Sequence, residues 1–143
     1  MEKKLKGLEE TIKEARGFVN SLTPEGNSTV VALCGDLGSG KTTFVKACAE
    51  VLGVNQTVTS PTFVLLKIYK LDGRSYEHLI HIDAYRLDST EELRSLGWAD
   101  FVNNPKNLIF VEWADRIEGV IPKSAKKITL ETVDENTRKI TYA

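Results

Sequence analysis

The sequence lacks the features that mark secreted, zinc-binding and membrane proteins. Its two cysteines, Cys34 and Cys48, form no CxxC pair, which argues against a zinc site and a disulfide framework. No apolar run approaches the ~18 residues that a membrane-spanning helix needs. The charged start MEKKLKGLEE has no apolar segment of the kind found in signal peptides. We therefore expect a cytoplasmic protein without a membrane partner.

An excess of basic charge is also missing. Nineteen lysines and arginines are balanced by twenty aspartates and glutamates, for a net charge of −1. Proteins that bind nucleic acid by themselves usually carry a basic excess, so we expect this chain not to bind RNA or DNA unaided. Its 143 residues suffice to bury one core. With no repeat or long linker in the sequence, a single domain over residues 1–143 is predicted.

Hydrophobic periodicity predicts helices alternating with strands. Apolar residues recur every three or four positions from Leu5 to Leu22, which predicts an amphipathic helix that includes the lysine-rich N-terminal segment. The run Thr29–Leu33 is β-branched and continuously apolar, as expected of a strand covered on both faces. A second amphipathic helix is predicted to begin near Lys41 and to end at Gly53.

The rest of the chain is richer in strands. Ser89 or Thr90 is predicted to cap a short helix. The segment Thr57–Pro61 is predicted to form a short extended piece. The predicted strands are Phe63–Tyr69, Tyr76–Ile82, Leu108–Val111 and a C-terminal antiparallel pair, Lys127–Glu131 with Arg138–Tyr142. This order indicates an α/β sheet with helices on its faces.

Residues 35–42 read GDLGSGKT, a full match to the phosphate-binding pattern G-x-x-x-x-G-K-[ST]. Glycines allow successive backbone N–H groups to turn toward one anion, and the following helix directs its positive end at the same place. Lys41 supplies a charge for the β- and γ-phosphates, and the Thr42 hydroxyl is a magnesium ligand. A chance match is roughly a one per cent event in a chain of this length. The residues expected to contact the nucleotide here are Gly35, Asp36, Leu37, Gly38, Ser39, Gly40, Lys41, Thr42 and Thr43.

Two carboxylates follow predicted strands. Asp83 ends the run LIHI and Glu112 ends the run LIFV, so both are expected at the carboxyl edge of the sheet, where such folds bind ligands. Asp83 is a candidate second magnesium ligand, or else begins an ordinary turn. Glu112 is a candidate for positioning water or completing the magnesium shell, or else a surface glutamate. His81 shares a face with Asp83 and is predicted to be packed or hydrogen-bonded.

The segment Ser60-Pro61-Thr62 lies between the second helix and Asp83. Many P-loop proteins carry a switch in this position whose hydroxyl senses the γ-phosphate. Ser60 and Thr62 are therefore candidate switch residues, and a plain proline turn is the alternative.

The motifs GDLGSGKTTF, VTSPTF, HIDAYRL and VEWADR, in this order and spacing, resemble the bacterial TsaE (YjeE-like) family. The resemblance implies a P-loop three-layer α/β/α sandwich with a mixed sheet and antiparallel C-terminal strands. It also implies an ATP- and Mg²⁺-dependent ATPase of weak activity in the biosynthesis of threonylcarbamoyladenosine (t6A) on tRNA. The implied partners are TsaB and TsaD, with tRNA reached only through their complex.

The resemblance also assigns residues. Lys41 and Thr42 match the Walker A pair, Asp83 the Walker B aspartate and Glu112 the acidic residue of the EW pair, so Lys41, Asp83 and Glu112 are the expected catalytic residues. Trp113 is expected near the nucleotide or a partner, with core packing as the alternative.

Three further positions are assigned by resemblance alone. Thr11, in the segment LEET, is expected near adenine, and Arg138 near the nucleotide. Arg86 is expected to contact phosphate or a partner, or to form a surface salt bridge. One departure from the family pattern is that the N-terminus is helix-like and lysine-rich, so the strand that usually precedes the first helix is expected to be missing or reduced.

Three other functions fit parts of the pattern. A small-molecule P-loop kinase needs a lid with several arginines, whereas the arginines between Arg74 and Arg138 are scattered. A GTPase would carry the guanine-reading N-K-x-D, for which NNPKN at 103–107 is no substitute. A non-catalytic regulator that binds ATP to gate a complex overlaps with the family picture.

Overall fold

The structure is a computed structural model that describes residues 1–36, 38–54, 66–72, 75–87 and 89–142. The side chain of Arg86 is not among the described parts. Several predictions made from the sequence therefore lie outside the described residues. These are the contact by Leu37, the extended piece Thr57–Pro61, the switch residues Ser60 and Thr62, the first three residues of the predicted strand Phe63–Tyr69, and the contact by the Arg86 side chain.

Strands and helices alternate along the described residues. The strands are β1 (Glu2–Lys6), β2 (Thr29–Cys34), β3 (Leu66–Lys70), β4 (His78–Asp83), β5 (Asn107–Glu112), β6 (Lys126–Asp134) and β7 (Thr137–Tyr142). The helices are α1 (Gly7–Ser21), α2 (Lys41–Val51), α3 (Thr90–Ser95) and α4 (Trp98–Asn103). Segments of 3-10 helix follow β4 at Ala84–Arg86 and β5 at Ala114–Val120.

These strands form one mixed sheet in the order β1-β7-β6-β2-β5-β4-β3. The four central strands, β6, β2, β5 and β4, run parallel to one another. Strand β3 is antiparallel to β4, and β7 is antiparallel to β6. The predicted C-terminal antiparallel pair is thereby confirmed, and the parallel centre places the ends of β2, β4 and β5 at one edge.

Each face of the sheet is covered by helices, as the apolar runs predict. Val31 and Leu33 point toward α1 and α2, where Phe44 is fully buried. Val30 points to the opposite face, where it packs in one cluster with Leu93 of α3 and Trp98 of α4. Strands whose side chains are apolar on both faces of a sheet need a layer of helices on each face. The three-layer α/β/α fold is confirmed.

The N-terminal segment corrects the sequence prediction. Residues Glu2–Lys6 form an edge strand antiparallel to β7, and α1 begins only at Gly7, whose φ is 72°. Leu5 is the one buried residue of this strand. The apolar periodicity that predicted a single helix from Leu5 therefore combined a strand residue with the apolar residues of α1. The expectation of a missing leading strand is wrong. Backbone pairing with β7 stabilises β1, and such pairing leaves no periodic signal in a strand of exposed lysines.

Two smaller elements complete the comparison with the sequence. Helix α3 begins at Thr90, directly after Ser89, as predicted, although the Ser89 side chain makes no capping hydrogen bond. Helix α4, of only six residues, was not predicted, because it is too short to show periodicity. Among the described residues, no helix combines the length and the apolar character that crossing a membrane requires.

Candidate active site

The phosphate-binding loop joins the end of β2 to the start of α2. Its three glycines have positive φ values, 140° at Gly35, 78° at Gly38 and 102° at Gly40. A Cβ added at Gly35 would lie 2.2 Å from the carbonyl oxygen of Leu130, so this position has no room for a side chain. The loop therefore depends on glycine both for conformation and for its approach to β6.

The ammonium group of Lys41 lies inside this loop. Its Nζ donates to the carbonyl oxygens of Gly35 at 2.6 Å and Asp36 at 2.9 Å, and it lies 4.0 Å from the centre of the Trp113 ring. The residue is only 4% exposed. Burial lowers the pKa of Lys41, and the negative charge of Glu112 is the largest opposing influence. The contacts of the Lys41 ammonium are two backbone carbonyl oxygens and the face of the Trp113 ring. A phosphate group can replace these acceptors.

A chain of polar contacts connects α2 to β5 and β4. The Thr42 hydroxyl donates to both carboxylate oxygens of Glu112, at 2.9 and 3.1 Å. The Nε2 atom of His81 is hydrogen-bonded to Oε2 of the same carboxylate. Glu112 is 3% exposed and His81 fully buried, so this carboxylate is screened from water by its own partners.

Asp83 and Glu112 are direct cross-strand partners at the ends of β4 and β5. Oδ1 of Asp83 accepts from the backbone N–H of Tyr85 at 3.0 Å. The two carboxylates and the Thr42 hydroxyl thus form an all-oxygen set at the carboxyl edge of the sheet. Magnesium prefers oxygen ligands, commonly one or two carboxylates together with substrate phosphates, so these residues fit that ion.

Two aromatic rings, tilted against each other by 49°, lie next to the loop. Trp113 has φ 59° and ψ 40°, the left-handed region that non-glycine residues seldom adopt. Its ring lies 5.0 Å from that of Tyr85, whose other contact is the guanidinium of Arg116 at 5.2 Å. Trp113 is half-buried, lying beside the loop lysine and also packing against the core cluster that contains Val30 and Trp98.

These residues surround a pocket of about 610 Å³. The predicted residues that line it are Thr11, Gly38, Ser39, Gly40, Lys41, Thr42, Thr43, Asp83, Glu112, Trp113 and Arg138. Gly35 and Asp36 are not among the lining residues; their carbonyl oxygens accept hydrogen bonds from Lys41. The structure thus brings together predicted residues from five separate parts of the sequence.

Within the described part of the chain, two of the predicted residues make only local hydrogen bonds. Thr11 Oγ1 donates to the carbonyl of Gly7 at 3.2 Å. Nη1 of Arg138 donates to the carbonyl of Asp134 at 2.8 Å. Both still face the pocket, and a Cβ built at Gly40 would lie 3.9 Å from Nε of Arg138, so Arg138 runs alongside the loop.

Sequence reasoning missed part of the pocket wall. The additional lining residues are Leu5, Gly7, Leu8, Tyr85, Leu130, Glu135 and Asn136. The backbone N–H of Gly7 donates to the carbonyl of Asn136 at 2.7 Å, which joins the start of α1 to the β6–β7 turn. No local pattern reveals this contact. Leu8 belongs to the apolar stripe of α1, yet it is 59% exposed where it lines the pocket.

Comparison with known proteins identifies the family. A family model described as "Threonylcarbamoyl adenosine biosynthesis protein TsaE" matches residues 5–140. The chain belongs to the TsaE family. That family functions in t6A biosynthesis, so a role in tRNA modification follows from membership.

Individual relatives of the TsaE family agree with this assignment. The chain is 39% identical over 138 residues to the TsaE protein of Rickettsia felis, covering 94% of this chain and 74% of that protein. It is 39% identical over 113 residues to the TsaE protein of Bacillus subtilis, covering 79% of this chain and 68% of that protein. The crystal structure of Bacillus subtilis YdiB superimposes with a TM-score of 0.74 at 30% identity, covering 99% of this chain and 83% of that one. The P-loop fold of this TsaE family member is thereby supported by a solved structure.

Proposed function

We propose that this TsaE family member binds ATP with Mg²⁺ and hydrolyses it weakly, as the nucleotide-dependent component of the t6A system. The observation that carries the proposal is the cluster of Thr42, Asp83 and Glu112 beside the ammonium of Lys41, at the floor of one pocket. A P-loop needs such a carboxylate edge to hold the metal and to orient the attacking group.

Binding is attributed to the loop and its lysine. The N–H groups of the loop and the positive end of α2 favour an anion at this place. Phosphate oxygens form stronger, charge-assisted hydrogen bonds with an ammonium than backbone carbonyls do. Lys41 is therefore expected to exchange its contacts with Gly35 and Asp36 for the β- and γ-phosphates.

Thr42, Asp83 and Glu112 are the residues that would hold the metal. Bound Mg²⁺ neutralises charge on the phosphates and so supplies electrophilic assistance. Glu112 is also placed to accept a hydrogen bond from the attacking water and thereby orient it. The buried surroundings of Glu112 strengthen these electrostatic interactions relative to water.

The proposed partners are TsaB and TsaD, with tRNA reached through their complex. The net charge of −1 supports indirect contact with tRNA, since a surface that binds the phosphate backbone of tRNA directly would need an excess of basic residues. Weak hydrolysis in a multi-protein system suits a nucleotide switch, in which the ATP and ADP forms have different affinities for a partner. The cytoplasm, where tRNA is modified, is the proposed compartment.

The proposal is tested by combining turnover with capture of partners. The purified chain is incubated with ATP and Mg²⁺, with and without TsaB and TsaD, and ADP is measured in the absence of any phosphate acceptor. Immobilised chain is then used to capture TsaB and TsaD in ATP or in ADP. We expect ADP release that the partners stimulate and capture that depends on the nucleotide.

The Lys41→Ala variant is the matched control and should lose both effects. Phosphorylation that requires an added acceptor would favour a kinase. Capture of the partners that is equal in ATP, in ADP and without nucleotide would contradict the proposed switch.

A further inference from the structure

His81 is a buried polar residue to which the reaction proposed above gives no role. Its side chain is 0% exposed. Its Nε2 atom is hydrogen-bonded to Oε2 of Glu112, while its Nδ1 atom has no hydrogen-bond partner among the described residues. A histidine serving only to fill space here would cost free energy, because one ring nitrogen stays unsatisfied in a buried place.

The sheet register explains why the contact forms. His81 on β4 lies opposite Phe110 on β5, and Glu112 follows two residues later on the same face. Such diagonal neighbours lie within reach of a long side chain in a sheet. The imidazole therefore meets the carboxylate from the β4 side, while the Thr42 hydroxyl meets it from α2.

The chemistry of the contact defines the imidazole form. An ionised carboxylate only accepts hydrogen bonds, so Nε2 must carry the proton. Nε2–H, Thr42 Oγ1–H and the carboxylate thus form one consistent set of two donors around one acceptor group.

We propose that His81 is a positioning residue for Glu112. It fixes the carboxylate plane against Thr42, so that Glu112 keeps its orientation toward the metal and the attacking water. Partners that hydrogen-bond a metal ligand from behind fix the orientation of that ligand. The consequence for turnover rests on the proposed ATPase function, whereas the contact itself does not.

Three substitutions separate this role from packing. In His81→Gln the amide Nε2 can take the place of the imidazole Nε2, whereas in His81→Asn the shorter amide stops near Nδ1. His81→Leu removes both nitrogens and keeps the site apolar. We expect the His81→Leu and His81→Asn variants to have a kcat for ATP hydrolysis about ten- to a hundredfold lower than the wild type. Their KM and their affinity for ADP without Mg²⁺ should be unchanged. The His81→Gln variant should keep most of the wild-type kcat.

A spectroscopic measurement on the metal-free protein tests the contact directly. The chain has only two histidines, so His78→Gln leaves the imidazole of His81 as the sole signal. NMR of this ¹⁵N-labelled variant should show a proton on Nε2 that is protected from exchange with water. That proton should lose its protection when Glu112→Ala is added.

The outcomes are distinguishable. An Nδ1–H form, or an Nε2 proton that is unaffected by Glu112→Ala, would overturn the proposal. Equal loss of kcat in the Gln, Asn and Leu variants would reduce His81 to a packing residue and overturn it as well. A wild-type protein that hydrolyses no ATP would overturn the proposed ATPase function, while the imidazole spectrum would still decide whether His81 holds Glu112.

Discussion

Thr42 donates its hydroxyl hydrogen to Glu112, whose two carboxylate oxygens lie 2.9 and 3.1 Å away. The contact joins the first turn of α2 to the last residue of β5, which are distant in sequence. Both residues are proposed magnesium ligands, and the fold holds them within hydrogen-bond distance of each other. Such preorganisation reduces the reorganisation that binding and reaction require.

Glu112→Ala is expected to slow hydrolysis more than it weakens nucleotide binding. The carboxylate is placed beside the metal site rather than in the phosphate-binding loop, so its loss should cost about two orders of magnitude in kcat. Single-turnover hydrolysis and fluorescence titration with an ATP analogue measure the two effects. An equal loss of both would count against a role in orienting water.

The paired variants Thr42→Ala and Asp83→Ala should each weaken the dependence on magnesium. Removal of one oxygen ligand leaves the ion with fewer protein donors, so more Mg²⁺ should be needed for half-maximal turnover. A metal titration at saturating ATP gives this value. Wild-type metal dependence in either variant would remove that residue from the proposed ligand set.

Lys41 should make the stability of the protein depend on pH in a predictable direction. Burial lowers the pKa of Lys41 below the usual 10.5, so between the lowered pKa and 10.5 the unfolded state binds more protons than the folded state. The free energy of unfolding contributed by this group therefore rises with pH across that window, by about 1.4 kcal/mol for each unit of lowering. Urea denaturation gives the free energy of unfolding of the wild type and of Lys41→Met, and the wild-type value minus the variant value should rise as pH rises toward 10.5. A difference that stays constant or falls would contradict the assignment of the charge.

Gly35→Ala should damage the loop, and Gly17→Ala serves as its matched control. The new Cβ at Gly35 would meet the Leu130 carbonyl at 2.2 Å, and the clash with fixed backbone should cost about 1–3 kcal/mol of stability together with nucleotide affinity. Gly17 lies within α1 with nothing inside 4 Å of an added Cβ, so alanine there should stabilise the protein by about 0.5–1 kcal/mol. Thermal unfolding of both variants checks the contrast. A Gly35→Ala protein as stable as the wild type would show that the loop is not packed against β6 in this way.

Trp113 should report nucleotide binding by its fluorescence. Its ring faces the Lys41 ammonium at 4.0 Å, and the ammonium is expected to turn toward phosphate. The other tryptophan, Trp98, is buried and donates Nε1–H to the carbonyl of Val120, away from the pocket. In Trp98→Phe the emission should change on addition of ATP, whereas in Trp113→Phe it should not. A response carried by Trp98 would place the nucleotide elsewhere.

The sequence predicted the centre of the fold better than its edges. β2 and β5 are continuously apolar and buried on both faces, so their burial follows from composition alone. β1 was missed because its exposed lysines carry no pattern and its stability comes from pairing with β7. For β2 and β5 the deciding feature is local in the sequence, whereas for β1 it is pairing with a strand that is remote in the sequence.

The same distinction applies to the candidate site. The positions of Asp83 and Glu112 were predictable because each ends an apolar strand, and parallel strands bring such ends to one edge. The wall formed by Gly7 and Asn136 was not predictable, since it depends on a backbone contact between the first helix and the last turn. The role inferred for His81 also required the register, because sequence alternation gives its face but not its partner.

The most direct test is a crystal structure of the chain with a non-hydrolysable ATP analogue and Mg²⁺. The account predicts the triphosphate within residues 35–42, with Lys41 on the β- and γ-phosphates and the metal bound by the Thr42 hydroxyl beside Asp83 and Glu112. A nucleotide bound at another surface, or a loop that keeps Lys41 on the carbonyls of Gly35 and Asp36 with no phosphate beside it, would contradict it.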